Sequence, residues 1–155
     1  MKFLFRHIHR FLVNFFRCGV TGWCMEILYT SFQSFRKKDP KLTGTTSLWM
    51  FPIYGMAAAL EPLFHFCRKR SCHNRGICYA IVFFGAEYLF GYLLNKKKSC
   101  PWNYANCKWN IHSLIRLDFF PLWFTTGLIM EHMVTKTPLP EKHRLTGATR
   151  KQDHP

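Results

Sequence analysis

The sequence predicts an all-α fold, a multi-pass transmembrane bundle of about four helices. Four apolar stretches run through the 155 residues, and each is close to the roughly 20 residues that a helix needs to cross a bilayer. The basic residues, which give a net charge of +14, collect in clusters between and beside those stretches. Segments that are apolar on every face and flanked by charge are typical of membrane helices. A soluble helical bundle with a basic surface is the alternative.

The predicted helices cover residues 18–35, 47–66, 77–94 and 117–134. The third is the clearest, because a single charge interrupts a run of aromatic and aliphatic residues. Pro52 and Pro121 lie near the starts of the second and fourth stretches and predict a kink there, since proline lacks an amide donor. The domain organisation expected is a basic N-terminal segment at 1–17, a four-helix transmembrane domain at 18–135 and a basic disordered tail at 136–155.

The two halves of the chain share short matching motifs. Glu26-Ile27-Leu28-Tyr29 in the first stretch resembles Glu87-Tyr88-Leu89-Phe90 in the third, and Phe51-Pro52 before Glu61 resembles Phe120-Pro121 before Glu131. The matches suggest two repeated helix pairs, which would be parallel repeats about an axis along the membrane normal. Matches this short also arise by chance.

The distribution of lysine and arginine predicts the orientation. More of them lie in the N-terminal segment, the second loop and the tail than in the other two loops, which places both termini in the cytoplasm by the positive-inside rule. Arg6 and Arg10 interrupt the first apolar residues, so we expect no cleaved signal peptide. The seven cysteines imply no disulfide framework. A Cys67–Cys72 or Cys100–Cys107 bond is conceivable only where the loops face an oxidising side.

Each apolar stretch carries one glutamate, and these four residues are the first functional candidates. A carboxylate in apolar surroundings is costly unless it faces a bundle interior, has a partner or is protonated. The candidate polar site consists of Glu26, Glu61, Glu87 and Glu131 with Tyr54, Trp23 and His65. Converging carboxylates can bind a cation, pass protons or hold an amine. In the alternative interpretation, nearby tyrosine, threonine, histidine or basic side chains satisfy each carboxylate, which then only fixes packing.

Other chemistry has little support in the sequence. Cys67, Cys72, His73 and Cys78 lack a Cys-x-x-Cys pair and stand among arginines, so we predict no metal site and no cofactor. No phosphate-binding glycine loop or nucleophile elbow is present, and we expect a protein that is not an enzyme. The basic clusters are separated by apolar blocks, which argues against nucleic acid and favours contact with anionic lipid headgroups.

Several motifs together resemble a known family. They are Thr43-Gly44-Thr45-Thr46-Ser47-Leu48-Trp49, Ile53-Tyr54-Gly55, Cys100-Pro101-Trp102-Asn103-Tyr104 and Leu128-Ile129-Met130-Glu131. In this order they resemble the vertebrate transmembrane protein 229 family, itself similar to bacterial type IV ABC-transporter permease-like membrane proteins. The resemblance covers roughly residues 19–134. It implies an integral multi-pass protein whose acidic positions are the four glutamates, and it implies no particular activity.

Three functional hypotheses follow. The first is a transporter-like or channel-like protein with a glutamate-lined polar site. The second is a non-catalytic adaptor or scaffold that binds membrane proteins or anionic lipid, with the loop motif Cys100, Pro101, Trp102, Asn103 and Tyr104 as its contact surface. Asn103 stands where the family usually has aspartate, which weakens a cation-binding role for this loop. The third is an intramembrane enzyme that uses Glu61 and His65 with a second acid. A bundle with so few spans also suggests a homo-oligomer.

Overall fold

The computed structural model describes residues 2–137, and helices dominate it, as predicted. The elements in chain order are α1 (Lys2–Arg36), α2 (Met50–Gly55), a 3₁₀ segment (Met56–Leu60), α3 (Glu61–Cys67), α4 (Cys72–Lys96), β1 (Asn110–Ile111), β2 (Ile115–Arg116), a second 3₁₀ segment (Leu117–Phe119) and α5 (Phe120–Thr135). Most of the predicted tail, residues 138–155, lies outside the described part of the chain.

The first helix is longer than the sequence predicted. α1 is one uninterrupted helix of 35 residues, so it does not begin at residue 18, and residues 2–17 of the segment predicted separately form its N-terminal half. Proline is absent from α1, and the polar side chains of its first half find partners on other helices. At 1.5 Å per residue the helix is about 50 Å long, which exceeds a hydrocarbon core of roughly 30 Å.

The second apolar stretch is a broken helix. Pro52 lies in the first turn of α2, where the amide that it lacks would have no partner in the helix. The backbone tightens into the 3₁₀ segment Met56–Leu60 and resumes as α3, whose first turn contains Pro62. Proline lacks an amide donor and its ring clashes with the preceding turn of an α-helix. Pro62 therefore causes the interruption. Pro121 likewise sits in the first turn of α5.

The helices associate as two pairs. α1 packs along α2 and the adjoining 3₁₀ segment, α4 packs along α5, and α5 also contacts α1 and α3. Two glycines allow close approach, because a methyl group at Gly22 would overlap the side chain of Tyr54 and one at Gly127 would overlap Tyr79. Tyr79, with Phe64, is fully buried at the centre of the core.

The outer surfaces of the long helices are apolar. On α1 the exposed large apolar residues recur about every fourth position, and on α4 they recur on one face: Leu4, Ile8, Leu12, Phe16, Val20, Leu28 and Phe32, then Ile81, Leu89 and Leu93. A soluble protein rarely exposes apolar stripes of this length. The helical segments Leu4–Arg36 and Cys72–Lys96 are long and apolar enough to cross a membrane.

A compact loop connects α4 with α5. It contains a small antiparallel hairpin in which Asn110 pairs with Arg116 and Ile111 with Ile115. His112 and Ser113 turn the chain with φ angles of 51° and 59°. Strands of two residues are too short to leave an alternating pattern, so they cannot be predicted from the sequence.

Candidate functional site

A cavity of about 660 Å³ lies between the two helix pairs. Its walls come from the C-terminal half of α1, from the loop before α2, from α2 with the 3₁₀ segment, from the C-terminal half of α4, from the loop before α5 and from the start of α5. Two of the four candidate glutamates, Glu26 and Glu87, line it from opposite helix pairs. The remaining walls are largely aromatic and aliphatic.

Glu87 is held firmly on the α4 side. The residue is 8% exposed. Its Oε1 accepts a hydrogen bond from the Tyr104 hydroxyl at 3.1 Å, and its Oε2 accepts one from Trp123 Nε1 at 3.0 Å. The two donors come from the loop and from α5, and both are neutral. They fix the position of the carboxylate in its buried site and supply no opposite charge.

Glu26 is held less completely on the α1 side. Its Oε2 accepts a hydrogen bond from the Thr46 hydroxyl at 2.8 Å. The loop that carries Thr46 is fastened to α1, because the Thr45 amide donates to Thr30 Oγ1 at 2.8 Å. Within residues 2–137, Oε1 of Glu26 has no hydrogen-bond partner, so part of this carboxylate remains available to a molecule in the cavity.

Tyr54 also lines the cavity, where its ring centroid is 6.3 Å from that of Trp123. Its hydroxyl makes no hydrogen bond to any other residue of the described chain. It is therefore a second polar group on the wall that is available to a ligand.

Arg116 also lines the cavity, although no pattern in the sequence pointed to it. Its Nε donates to Asp118 Oδ1 at 3.1 Å, and the ion pair is completed through the second carboxylate oxygen. The guanidinium lies 4.4 Å from the ring centroid of Phe119. The hydrogen bond to Asp118 raises the pKa of Arg116, and the same bond lowers the pKa of Asp118. Both residues are therefore charged, and the negative charge of Asp118 balances the positive charge of Arg116.

The loop motif turns towards the bundle. The Cys100 thiol donates to the Trp102 carbonyl at 3.2 Å, and Trp102 Nε1 donates to the Leu114 carbonyl at 3.0 Å. Asn103 Oδ1 accepts from the Ala105 amide at 2.9 Å and so shapes a turn. Pro101, Trp102, Asn103 and Tyr104 all line the cavity. Burial, followed by the negative charge of Glu87, raises the pKa of Tyr104, which keeps its hydroxyl a donor. Burial likewise raises the pKa of the Cys100 thiol.

The other two glutamates lie elsewhere. Glu61 Oε1 is 3.0 Å from an amino nitrogen of Arg10 and 3.5 Å from His65 Nε2. Glu131 Oε1 is 3.4 Å from Arg75 Nη1. None of these five residues lines the cavity. The structure therefore brings together Glu26 and Glu87 and pairs each of the remaining glutamates with an arginine.

The remaining predicted residues have local roles. Trp23 Nε1 donates to the Ser47 carbonyl at 3.0 Å and anchors the loop before α2. All seven cysteines are free. Cys67 Sγ lies 3.9 Å from Cys78 Sγ, whereas Cys72, its predicted neighbour, is exposed. No group of three or more potential metal ligands occurs among the residues that the structure describes.

A comparison with known protein families identifies the family of this chain. Residues 13–146 match the family described as "Putative ABC-transporter type IV". The chain belongs to this family. The matched range contains every wall of the cavity and the Arg75–Glu131 pair, whereas Arg10 of the other pair lies before its first residue. No solved structure matches the chain. Membership in the ABC-transporter type IV family and the two long apolar helices both support association with a membrane.

Proposed function

We propose that this member of the ABC-transporter type IV family is a multi-pass integral membrane protein that binds a small ligand in the Glu26–Glu87 cavity and moves it across the bilayer, in a transporter-like or channel-like manner. The observation that carries the proposal is the cavity itself. It presents two carboxylates from opposite helix pairs inside a molecule whose long helices are apolar on the outside. Acidic side chains at such depth are usually functional.

Four membrane passes account best for the exposed apolar surface. They are α1, the broken helix α2–α3, α4 and α5. The N-terminal half of α1 lies beside the end of α5, because Asn14 Nδ2 donates to the Val134 carbonyl at 3.4 Å. Both termini would therefore emerge on one side, and the distribution of basic residues favours the cytoplasm.

The two ends of the bundle suit a transport cycle. At one end lies the cavity; at the other, the Arg10–Glu61 and Arg75–Glu131 pairs join the helices. A transporter needs two arrangements that expose the same site to opposite sides. We propose that the arginine–glutamate pairs hold one end closed while the cavity is open at the other.

We further propose that the chain belongs with the transmembrane protein 229 group inside the wider family. Two segments that resemble this group each supply a hydroxyl donor to a cavity glutamate. Thr46 donates to Glu26, and Tyr104 donates to Glu87. The motifs therefore coincide with the groups that hold the site.

The adaptor hypothesis has less support. Trp102 and Tyr104 direct their polar groups to the Leu114 carbonyl and to Glu87, inside the bundle. A docking loop would instead direct such groups to a partner. If this loop nevertheless recruits partners, replacing Pro101 and Trp102 with alanine should remove co-purifying proteins while the helices stay folded.

Cysteine labelling tests the proposed function. In a background without the seven native cysteines, Ala86→Cys places a thiol on the cavity wall and Ile81→Cys places one on the outer face of the same helix. In proteoliposomes, a cationic water-soluble methanethiosulfonate should react at position 86 and not at position 81. If position 86 reacts with reagent added to each side of the membrane in turn, the result supports transport. If it reacts from one side alone, the cavity binds a ligand but does not carry it across. Equal rates at the two positions would overturn the proposal.

A further inference from the structure

The cavity walls carry more acidic than basic side chains. Three charged side chains line the cavity: Glu26, Glu87 and Arg116. The charge of Arg116 is matched by Asp118, which lies outside the lining. The two carboxylates receive only neutral donors. A wall with excess negative charge attracts cations and repels anions.

The carboxylates differ in their availability. Both oxygens of Glu87 are engaged by Tyr104 and Trp123, so a ligand would have to displace an existing hydrogen bond to reach them. Glu26 is engaged by Thr46 through Oε2 alone. Glu26 is therefore the group that can meet a positive charge directly, and Glu87 is the second acidic group of the lining, across the cavity.

Aromatic rings form much of the remaining wall. Phe83 and Trp123 lie almost parallel, with centroids 5.5 Å apart and an interplanar angle of 5°. Tyr54, Trp102 and Tyr104 contribute further rings to the lining. Faces of aromatic rings attract cations and also bury apolar groups. The volume of about 660 Å³ suits a small organic molecule.

We infer that the ligand of this site is a hydrophobic monovalent organic cation, such as an amphipathic amine or an onium ion, whose positive centre lies at Glu26 and whose apolar body packs on the aromatic wall. The inference rests on the proposed function, since it names the ligand class of the same cavity. A metal ion fits less well, because the described residues contain no group of three or more suitable ligands. An inorganic cation would also leave most of the apolar wall unused.

Two ions of nearly the same shape test the ligand class. Tetraphenylphosphonium and tetraphenylborate differ mainly in the sign of their charge, so they control for partition into detergent or lipid. With the purified full-length chain in nanodiscs, equilibrium dialysis should detect saturable binding of the phosphonium and none of the borate. Equal saturable binding of both ions would overturn the inference.

Variants then locate the positive centre. Glu26→Gln keeps the shape and removes the charge, and it should weaken phosphonium binding about tenfold or more, as expected for loss of an ion pair in a partly desolvated site. Glu26→Asp should retain affinity within a few-fold. Asp39→Asn, which neutralises a half-buried acid outside the cavity, is the matched control and should leave affinity unchanged. Each variant must elute as the parent does and retain its thermal transition.

The outcomes separate this inference from the proposed function. If position 86 is labelled but the phosphonium does not bind saturably, the ligand class is wrong and the cavity remains a site for something else. If the phosphonium binds Glu26→Gln as tightly as the parent, Glu26 is not the counter-charge and the inference is wrong. If position 86 is no more reactive than position 81, the proposed function is wrong as well.

Discussion

Tyr104 donates its hydroxyl hydrogen to Glu87 across 3.1 Å and thereby ties the loop after α4 to the wall of the cavity. The two residues belong to sequence features that look unrelated, an apolar helix and a cysteine–proline–tryptophan loop. Their contact makes the loop part of the site.

Removal of the Tyr104 hydroxyl should destabilise the protein. Tyr104→Phe leaves Glu87 Oε1 without its donor in a buried position, which typically costs about 1–3 kcal/mol. Tyr92→Phe removes a hydroxyl from an exposed tyrosine on α4 and is the matched control. The thermal transition in detergent should fall for the first variant alone; equal transitions would show that the bond contributes nothing.

Glu87→Gln should destabilise the protein more than Glu26→Gln. Both oxygens of Glu87 accept hydrogen bonds, so a glutamine can satisfy both neighbours only if its oxygen faces Trp123 and its NH₂ faces Tyr104, whose hydroxyl must then turn to accept. Glu26 has one engaged oxygen, and a glutamine can keep that bond. Urea or thermal unfolding measures the difference. A larger loss for Glu26→Gln would mean that we have assigned the rigid and the available carboxylate the wrong way round.

The ion pair between Arg75 and Glu131 should behave as a coupled unit. Arg75→Gln leaves a carboxylate uncompensated in a largely buried site, which should cost about 2–4 kcal/mol. The double variant with Glu131→Gln removes both charges and should lose less stability than the sum of the single variants. Lys69→Gln, an exposed neighbour in the preceding loop, serves as control. Additive losses would rule out the coupling.

Two glycines should respond in opposite ways to alanine. Gly22→Ala would overlap Tyr54 and force helices α1 and α2 apart, at a cost of about 1–3 kcal/mol. A methyl group at Gly85 meets nothing within 4 Å, so Gly85→Ala should be neutral or slightly stabilising, because alanine favours helix. Similar losses for both would show that α1 and α2 do not pack this closely.

The Arg116–Asp118 pair should give the loop an acid-dependent stability. Hydrogen bonding to Arg116 lowers the pKa of Asp118 from its ordinary value of 3.8. Its contribution is therefore complete above that value and is lost as the pH falls through the lower pKa of the folded protein. Asp118→Asn should remove this part of the decline in the thermal transition below pH 4. An unchanged profile would exclude the pair as its origin.

The sequence predicts the helices, but only two of its four candidate glutamates, Glu26 and Glu87, line the cavity. The other two lie elsewhere because consecutive helices run in opposite directions. Spacing along a helix assigns each glutamate to a face and says nothing of its height in the bundle. Glu26 and Glu61 both lie late in consecutive antiparallel helices, so they fall at opposite ends, and the same holds for Glu87 and Glu131. The position of each glutamate along its helix, together with its face, therefore separates Glu26 and Glu87 from Glu61 and Glu131.

Arg116 and the break before α3 were missed for other reasons. Arg116 reaches the cavity only because a short hairpin folds the loop back over the bundle, and nothing local in the sequence signals that turn. The sequence predicts the kink at Pro52, near the start of the second apolar stretch. Pro62 causes the break, because only that proline has a preceding turn of helix to interrupt.

The length of α1 has a consequence for the kind of membrane that can hold this protein. Bilayers of different organelles differ in thickness by a few ångströms. A helix whose apolar length does not match the thickness of its bilayer incurs a cost in free energy. α1, a helix of 35 residues, exposes apolar side chains from Leu4 to Phe35, with Arg17 exposed among them, so its apolar surface is longer than a single hydrocarbon core. On the topology that we propose, the apolar length of α1 by itself would therefore not restrict the protein to bilayers of one thickness.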